Sequence, residues 1–242
     1  MPRTIAVFGA GPGLGQAVAR RYGQAGYDVV LVARRAAPLE RFAEKLSAEG
    51  ITTHVVTGDL SDTASVPALA ERIRAKAGHP DVLYYGPAPA DPGFVPAVTL
   101  DPERVRDLMP MTLYTLLALV GEFLPAMLER GEGAVLSAQG AAAMRGLPGM
   151  TGWPPALAAQ RHYLQSLAAE VADRGVHVGM LYIGAYIVGS AAAEQRVAED
   201  AGGPAREQPA ADPAELAELL WTMHSTGNPR EKLVPEHFFD GW

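Results

Sequence analysis

Short runs of branched and apolar residues alternate along this chain with longer stretches that repeat apolar positions every three to four residues. Ile5 to Phe8, Val29 to Val32, Thr53 to Thr57, Val82 to Tyr85, Ala134 to Ser137 and Val176 to Leu181 read as six strands. Most of these runs lack polar alternation, the pattern of strands covered on both faces. Between them, Leu39, Phe42, Ala43 and Leu46 share one helical face, as do Val66, Leu69, Ala70 and Ile73. A long helix is expected from about Val105 to Leu128, opened by Asp101-Pro102-Glu103, a cap followed by proline in the first turn. Leu164, Leu167, Ala168 and Val171 mark another helix. Asp212-Pro213 opens a last one, with Leu216, Leu219, Leu220 and Met223 inward. The alternation predicts an α/β fold, a single Rossmann-type doubly wound parallel sheet of about six to seven strands with helices on both faces.

Composition narrows the picture. A chain of 242 residues, 48% hydrophobic and 19% charged, suits one large domain, here 1–242, with a sizeable core. The formal net charge of −7 supplies no basic surplus for a nucleic acid. The absence of cysteine excludes disulfides and thiolate metal sites, and the six histidines share no metal-ligand spacing, so no metal is expected. Met1-Pro2-Arg3-Thr4 runs straight into a strand, and the longest apolar run, Leu113 to Val120, is too short to cross a membrane. These features fit a cytoplasmic protein acting on a small molecule.

Two stretches break the α/β rhythm: the Pro-rich Gly86 to Val98, and Gly189 to Pro213, expected to be a flexible substrate lid. Both follow strands, where sheets of this kind take ligands.

Gly9-Ala10-Gly11-Pro12-Gly13-Leu14-Gly15 lies between the first strand and a helix. A backbone that must turn sharply and approach a phosphate needs bare positions, and the helix N-terminus then faces the anion. Gly9, Gly13 and Gly15 are spaced G-x-x-x-G-x-G, and Leu14 occupies the last glycine position of the general G-x-G-x-x-G fingerprint. The second strand ends Ala33-Arg34-Arg35. No carboxylate is present there to bind a ribose 2′-hydroxyl, and Arg34, with Arg35, can form a charge-assisted fork to a 2′-phosphate.

The G-x-x-x-G-x-G spacing resembles the short-chain dehydrogenase/reductase family, with Phe8 where that family has Thr. The resemblance covers nearly the whole chain. It implies NADP(H) as cofactor, held by Gly9, Gly11, Pro12, Gly13, Leu14, Gly15, Arg34 and Arg35. It adds Asp59 and Leu60 at the adenine, and Gly86, Gly184 and Ile187 further along. Ser166-Leu167-Ala168-Ala169-Glu170 and Gly175-Val176-His177-Val178 set the register of the reactive centre. The family's Tyr then falls on Trp153, its Lys on Leu157, its Ser on Gly140 and its helix Asn on Thr112, so none of the four is retained. An indole N–H donates but does not titrate usefully. A replacement proton donor is sought at Tyr85 and Tyr186, with Ser137 or Gln139 as further choices and Arg161, His162 and Tyr163 along the helix. Trp153 is taken as a pocket wall.

Three functions stay open: a carbonyl reductase with a relocated acid, an imine or iminium reductase, and a non-redox member serving as NADP(H) sensor or cyclisation template. The family implies a homodimer or homotetramer. The aromatic C-terminus, with Phe238, Phe239 and Trp242, is expected to dock over the pocket or on a partner subunit.

Overall fold

The structure, a computed structural model, describes residues 2–89, 91–191, 193–194 and 209–240. Seven parallel strands form one sheet in the order β3-β2-β1-β4-β5-β6-β9: β1 Thr4–Phe8, β2 Asp28–Ala33, β3 Thr53–Thr57, β4 Val82–Tyr85, β5 Gly133–Gly140, β6 Val176–Ile183 and β9 Glu231–Val234. A separate two-stranded pair joins β7 Tyr186–Ile187 to β8 Ala210–Ala211. The strand order reverses between β1 and β4, which opens a crevice at their carboxyl ends.

Two helical layers follow from the strand alternation. On one face, α1 Leu14–Gln24, α2 Ala36–Ala48 and α7 Pro213–Thr226 bury Val18, Phe42 and Leu220 against Ile5, Val29 and Leu136. On the other, α3 Val66–Ala77, α5 Thr115–Arg130 and α6 Trp153–Glu170 bury Ile73, Phe123 and Leu164 against Phe8, Val135 and Tyr182.

The long helix expected near 105–128 is divided. α4 Pro102–Met109 passes into a π-helical turn, Pro110–Tyr114, before α5. Pro110 explains the break: it has no N–H to donate, and its ring crowds the preceding turn. Asp101 caps α4 as anticipated, its carboxylate accepting from the Glu103 N–H at 2.9 Å. The helical stretch Pro102–Arg130, 29 residues in all, is long and apolar enough to cross a membrane by length and composition, which the shorter run Leu113 to Val120 did not suggest. Here Leu116, Leu119, Phe123 and Met127 are core residues.

β9 lies outside the six strands read from sequence. It is the edge strand beside β6, with Val234 opposite Ile183. Its first residue is tied down from α6: Glu231 accepts from Arg161 at 3.0 Å and from Gln165 at 2.6 Å. Arg161 also donates to the Tyr182 hydroxyl at 3.1 Å.

Candidate active site

The glycine loop occupies the crevice at the reversal of strand order. The Gly9 and Ala10 N–H groups both donate to the Val32 carbonyl at 3.1 Å, and the Gly86 N–H donates to the Phe8 carbonyl at 3.0 Å. Gly9 has φ 92° and Gly13 φ 88°, conformations that favour glycine. A methyl group on Gly15 would lie 2.1 Å from the Gly9 carbonyl oxygen, whereas one on Gly11 would meet nothing within 4 Å. Gly15 is therefore bare so that the loop can close on itself. Gly11 is bare beside open space. Pro12 and Gly13 also line an open groove of about 530 Å³ between α1 and α7.

Arg34 and Arg35 are exposed at the end of β2, and Arg35 stands at the N-cap position of α2. The Gly58 N–H donates to the Ala33 carbonyl at 3.1 Å, which brings the end of β3 alongside. Asp59 follows there. Its Oδ1 accepts from the Ser61 hydroxyl at 2.6 Å and the Ser61 N–H at 3.0 Å, bonds that hold its carboxyl below the usual range, with a smaller contribution from Arg34. Leu60 buries its side chain in the core, so only its backbone can face a ligand.

The four positions named for the reactive centre lie close in two pairs. The Trp153 indole N–H donates to the Thr112 hydroxyl at 2.8 Å. A methyl on Gly140 would lie 3.6 Å from Leu157 Cδ1. Two carbonyls of the π turn accept from buried side chains. Gln160 donates to the Thr112 carbonyl at 2.8 Å, and the Tyr85 hydroxyl donates to the Met111 carbonyl.

Tyr85, sought as a proton donor, turns its hydroxyl to the helix. It is 1% exposed, packs among Phe8, Leu83 and Leu116, and its hydroxyl is spent on the helix. Burial also pushes its pKa far up. Trp153 is half-buried against the core, where its ring can serve as a wall. Ser137 and Gln139 are buried in β5, with Gln139 Nε2 donating to Ser137 at 3.3 Å and Gln139 Oε1 left without a partner. Arg161 is engaged by Tyr182 and Glu231, His162 is exposed, and burial pushes Tyr163 up to about 12.

Two glycines carried over by resemblance have packing duties. A methyl on Gly86 would lie 2.3 Å from the Tyr84 hydroxyl, and one on Gly184 would lie 2.1 Å from Phe238 Cδ2. Ile187 reaches the glycine loop, its Cγ2 lying 3.3 Å from a methyl built on Gly13. Tyr186 beside it is half-buried, its N–H donating to the Pro209 carbonyl at 2.9 Å. Of the expected lid, 189–213, the residues 192 and 195–208 lie outside the described residues, and so does Trp242. The stretch Gly86 to Val98 packs on the entry to α6: Val95 and Thr151 form a bridge, and the Trp153 N–H donates to the Pro92 carbonyl at 3.2 Å. Sequence reading missed this pairing and the π turn itself, for which Pro110 was the available signal.

Known proteins resemble this chain in sequence and fold. An uncharacterized oxidoreductase of Myxococcus xanthus (strain DK1622) is 30% identical over 185 residues, 75% of this chain and 71% of that protein. Dehydrogenase/reductase SDR family member 7B of Bos taurus is 29% identical over 183 residues, 73% of this chain; the match spans only 56% of that protein's length. Among solved structures, a variant of actinorhodin polyketide ketoreductase with NADPH superposes with a TM-score of 0.84 over 98% of this chain and 97% of that one, at 21% identity, which shows the shared fold. The model of the short chain dehydrogenase family matches residues 3–199. With that match covering most of the chain, and the bare loop seated at the reversal of a seven-stranded parallel sheet, this protein belongs to the short-chain dehydrogenase/reductase family.

Proposed function

We propose that this chain binds NADP(H) and moves hydride between it and a carbonyl or imine carbon of a small organic molecule, at a site lacking the family's Ser, Tyr and Lys. The observation that carries the reading is the loop Gly9–Gly15, bare and closely folded at the crevice, with Arg34 exposed at the next strand end. The first-turn amides of α1 would face the diphosphate and Arg34 the extra phosphate. When bound, the dinucleotide supplies the hydride; the chain supplies binding, orientation and the walls.

Gly140, Leu157, Trp153 and Thr112 offer no group that exchanges a proton near neutral pH. A neutral ketone develops an oxyanion that needs a donor. An iminium carbon carries positive charge already and accepts hydride without one. That contrast favours imines over ketones. It equally favours a second reading, a non-redox member that senses NADP(H) or templates a cyclisation.

Titration of intrinsic fluorescence with NADPH and NADH tests the cofactor. NADPH is expected to bind at least about tenfold more tightly, and Arg34→Asp to remove that preference. Equal affinities would overturn the role of Arg34. NADPH oxidation across ketones and cyclic imines then separates reductase from sensor. We further propose a homodimer or homotetramer, supported by the apolar side chains Tyr114 and Leu117, exposed to 46% and 37% around the start of α5.

A further inference from the structure

The last described residues pack back onto the carboxyl edge of the sheet. Val234 of β9 accepts from the Gly184 N–H at 2.8 Å, and Val234 lies opposite Ile183, which lies opposite Gly140. The chain then turns: the Phe238 N–H donates to the Pro235 carbonyl, and the Asp240 N–H to the His237 carbonyl, both at 3.0 Å. Lys232 and Glu236 form an ion pair that ties this turn to its strand.

The turn carries two aromatic rings to one place. Phe238 lies on Gly184, where any side chain would strike its ring. Gly184 follows Tyr182 by two residues, the repeat that keeps one face of a strand, and Tyr182 receives Arg161 from α6. Phe238 therefore lies on the α6 side, the layer whose first residue is Trp153. Phe239 meets Phe238 edge-on at 5.0 Å between centroids. The Arg145 guanidinium stacks 4.9 Å from the Phe239 ring, from the loop that begins five residues earlier at Gly140. The turn thus spans from the end of β6 to the loop after β5. Both rings stay half-buried rather than closing into the core.

We propose that the turn Pro235–Asp240 is the outer wall of the substrate site, and that Phe238 and Phe239 make it select flat aromatic carbonyl or imine compounds over saturated ones. Half-covered rings at the carboxyl edge of the sheet offer edge and face contacts that a saturated ring cannot match. Arg145, stacked on Phe239, is a positioning residue for that wall. The proposal rests on the carboxyl-edge site being the substrate site, as in the function proposed above.

The test uses two defined probes, 2-acetylnaphthalene and cyclohexyl methyl ketone, titrated by ligand-observed NMR against the full chain with and without NADP⁺. Wild type should prefer the naphthyl ketone by at least about fivefold. Phe239→Leu should bring the two probes within about twofold of each other. Gly184→Ala, which forces Phe238 aside, should do the same. Melting temperature and NADPH affinity of Phe239→Leu should stay at wild-type values. Absence of naphthyl ketone binding, or an unchanged preference in both variants, overturns the proposal. A change of sedimentation behaviour in the variants with unchanged probe binding makes the turn a subunit contact and overturns it as well. NADPH titration of the same samples is scored separately. Its failure removes the cofactor reading, whereas failure of the probe arms removes the wall.

Discussion

Trp153 and Thr112 are joined by a hydrogen bond of 2.8 Å that pins the first turn of α6 to the π turn between α4 and α5. Thr112 is 3% exposed, and its carbonyl is held by Gln160 at the same time. The pair is a structural clamp between two helical segments. Thr112→Val should leave the indole N–H short of a partner and lower unfolding free energy by about 1–2 kcal/mol, read from urea denaturation. NADPH affinity should not change. A variant as stable as wild type would show that the bond contributes nothing net.

Gly11 and Gly15 should respond to alanine in opposite ways. A methyl on Gly15 meets the Gly9 carbonyl oxygen at 2.1 Å, backbone that cannot step aside, so Gly15→Ala should lower stability by about 2–3 kcal/mol and weaken NADPH binding together. A methyl on Gly11 meets nothing within 4 Å of the protein, so Gly11→Ala should melt like wild type. Its open side is where the diphosphate is proposed to approach. Its NADPH dissociation constant should rise at least about tenfold, a loss of roughly 1.4 kcal/mol. Calorimetry and thermal melting on the two variants separate these effects; equal NADPH affinity in Gly11→Ala and wild type would move the ligand elsewhere.

The same physics explains what the sequence disclosed. Val82–Tyr85 has the ends expected from its apolar run, because a strand covered on both faces writes itself as an unbroken hydrophobic segment. That very covering hid the direction of Tyr85. With Tyr84 and Tyr85 both buried, nothing local says which ring faces α5, and the hydroxyl's partner is the Met111 carbonyl, in a π turn 26 residues away. Glu231–Val234 escaped for the opposite reason: two of its four residues are charged, and their partners, Arg161, Gln165 and Glu236, come from α6 and from beyond the strand. The glycine spacing was legible because bare positions at fixed intervals answer to backbone geometry alone. The docking of Val95 on Thr151 was not, since neither loop has a repeat to read.

Subunit association is proposed through α5, and one charge there should reveal it. Leu117 is 37% exposed and Tyr114 46%, with Gly121 open one turn further along. Leu117→Glu keeps helix propensity and touches no core residue of the sheet, so the monomer should fold normally. In sedimentation velocity the variant should run as a smaller species than wild type, because burying an unpaired carboxylate in an apolar contact costs several kcal/mol. Identical sedimentation of the two would place any interface elsewhere.

The end of the molecule away from the crevice should set its acid stability. Tyr22 and His224 share a hydrogen bond of 3.0 Å between α1 and α7, in a cluster with Tyr27 and Trp221, and the His177 ring lies 6.4 Å from that of His224. Burial lowers the His224 pKa to about 4, with His177 and Arg3 adding to the shift; burial, aided by Arg230, lowers His177 as well. His177 Nε2 is buried without a partner, so a proton there would find no acceptor. A folded-state pKa below the unfolded value means that protons bind the unfolded chain first. The stability is fully present above the unfolded histidine value of about 6.5 and drains away as pH falls toward 4. His224 alone should account for about 2–3 kcal/mol across that window. Urea midpoints at pH 7, 5.5 and 4.5 measure the slope. His224→Asn, which can still bond Tyr22 but does not titrate, should flatten it at the cost of some packing. An unchanged slope in that variant would assign the acid sensitivity to other groups.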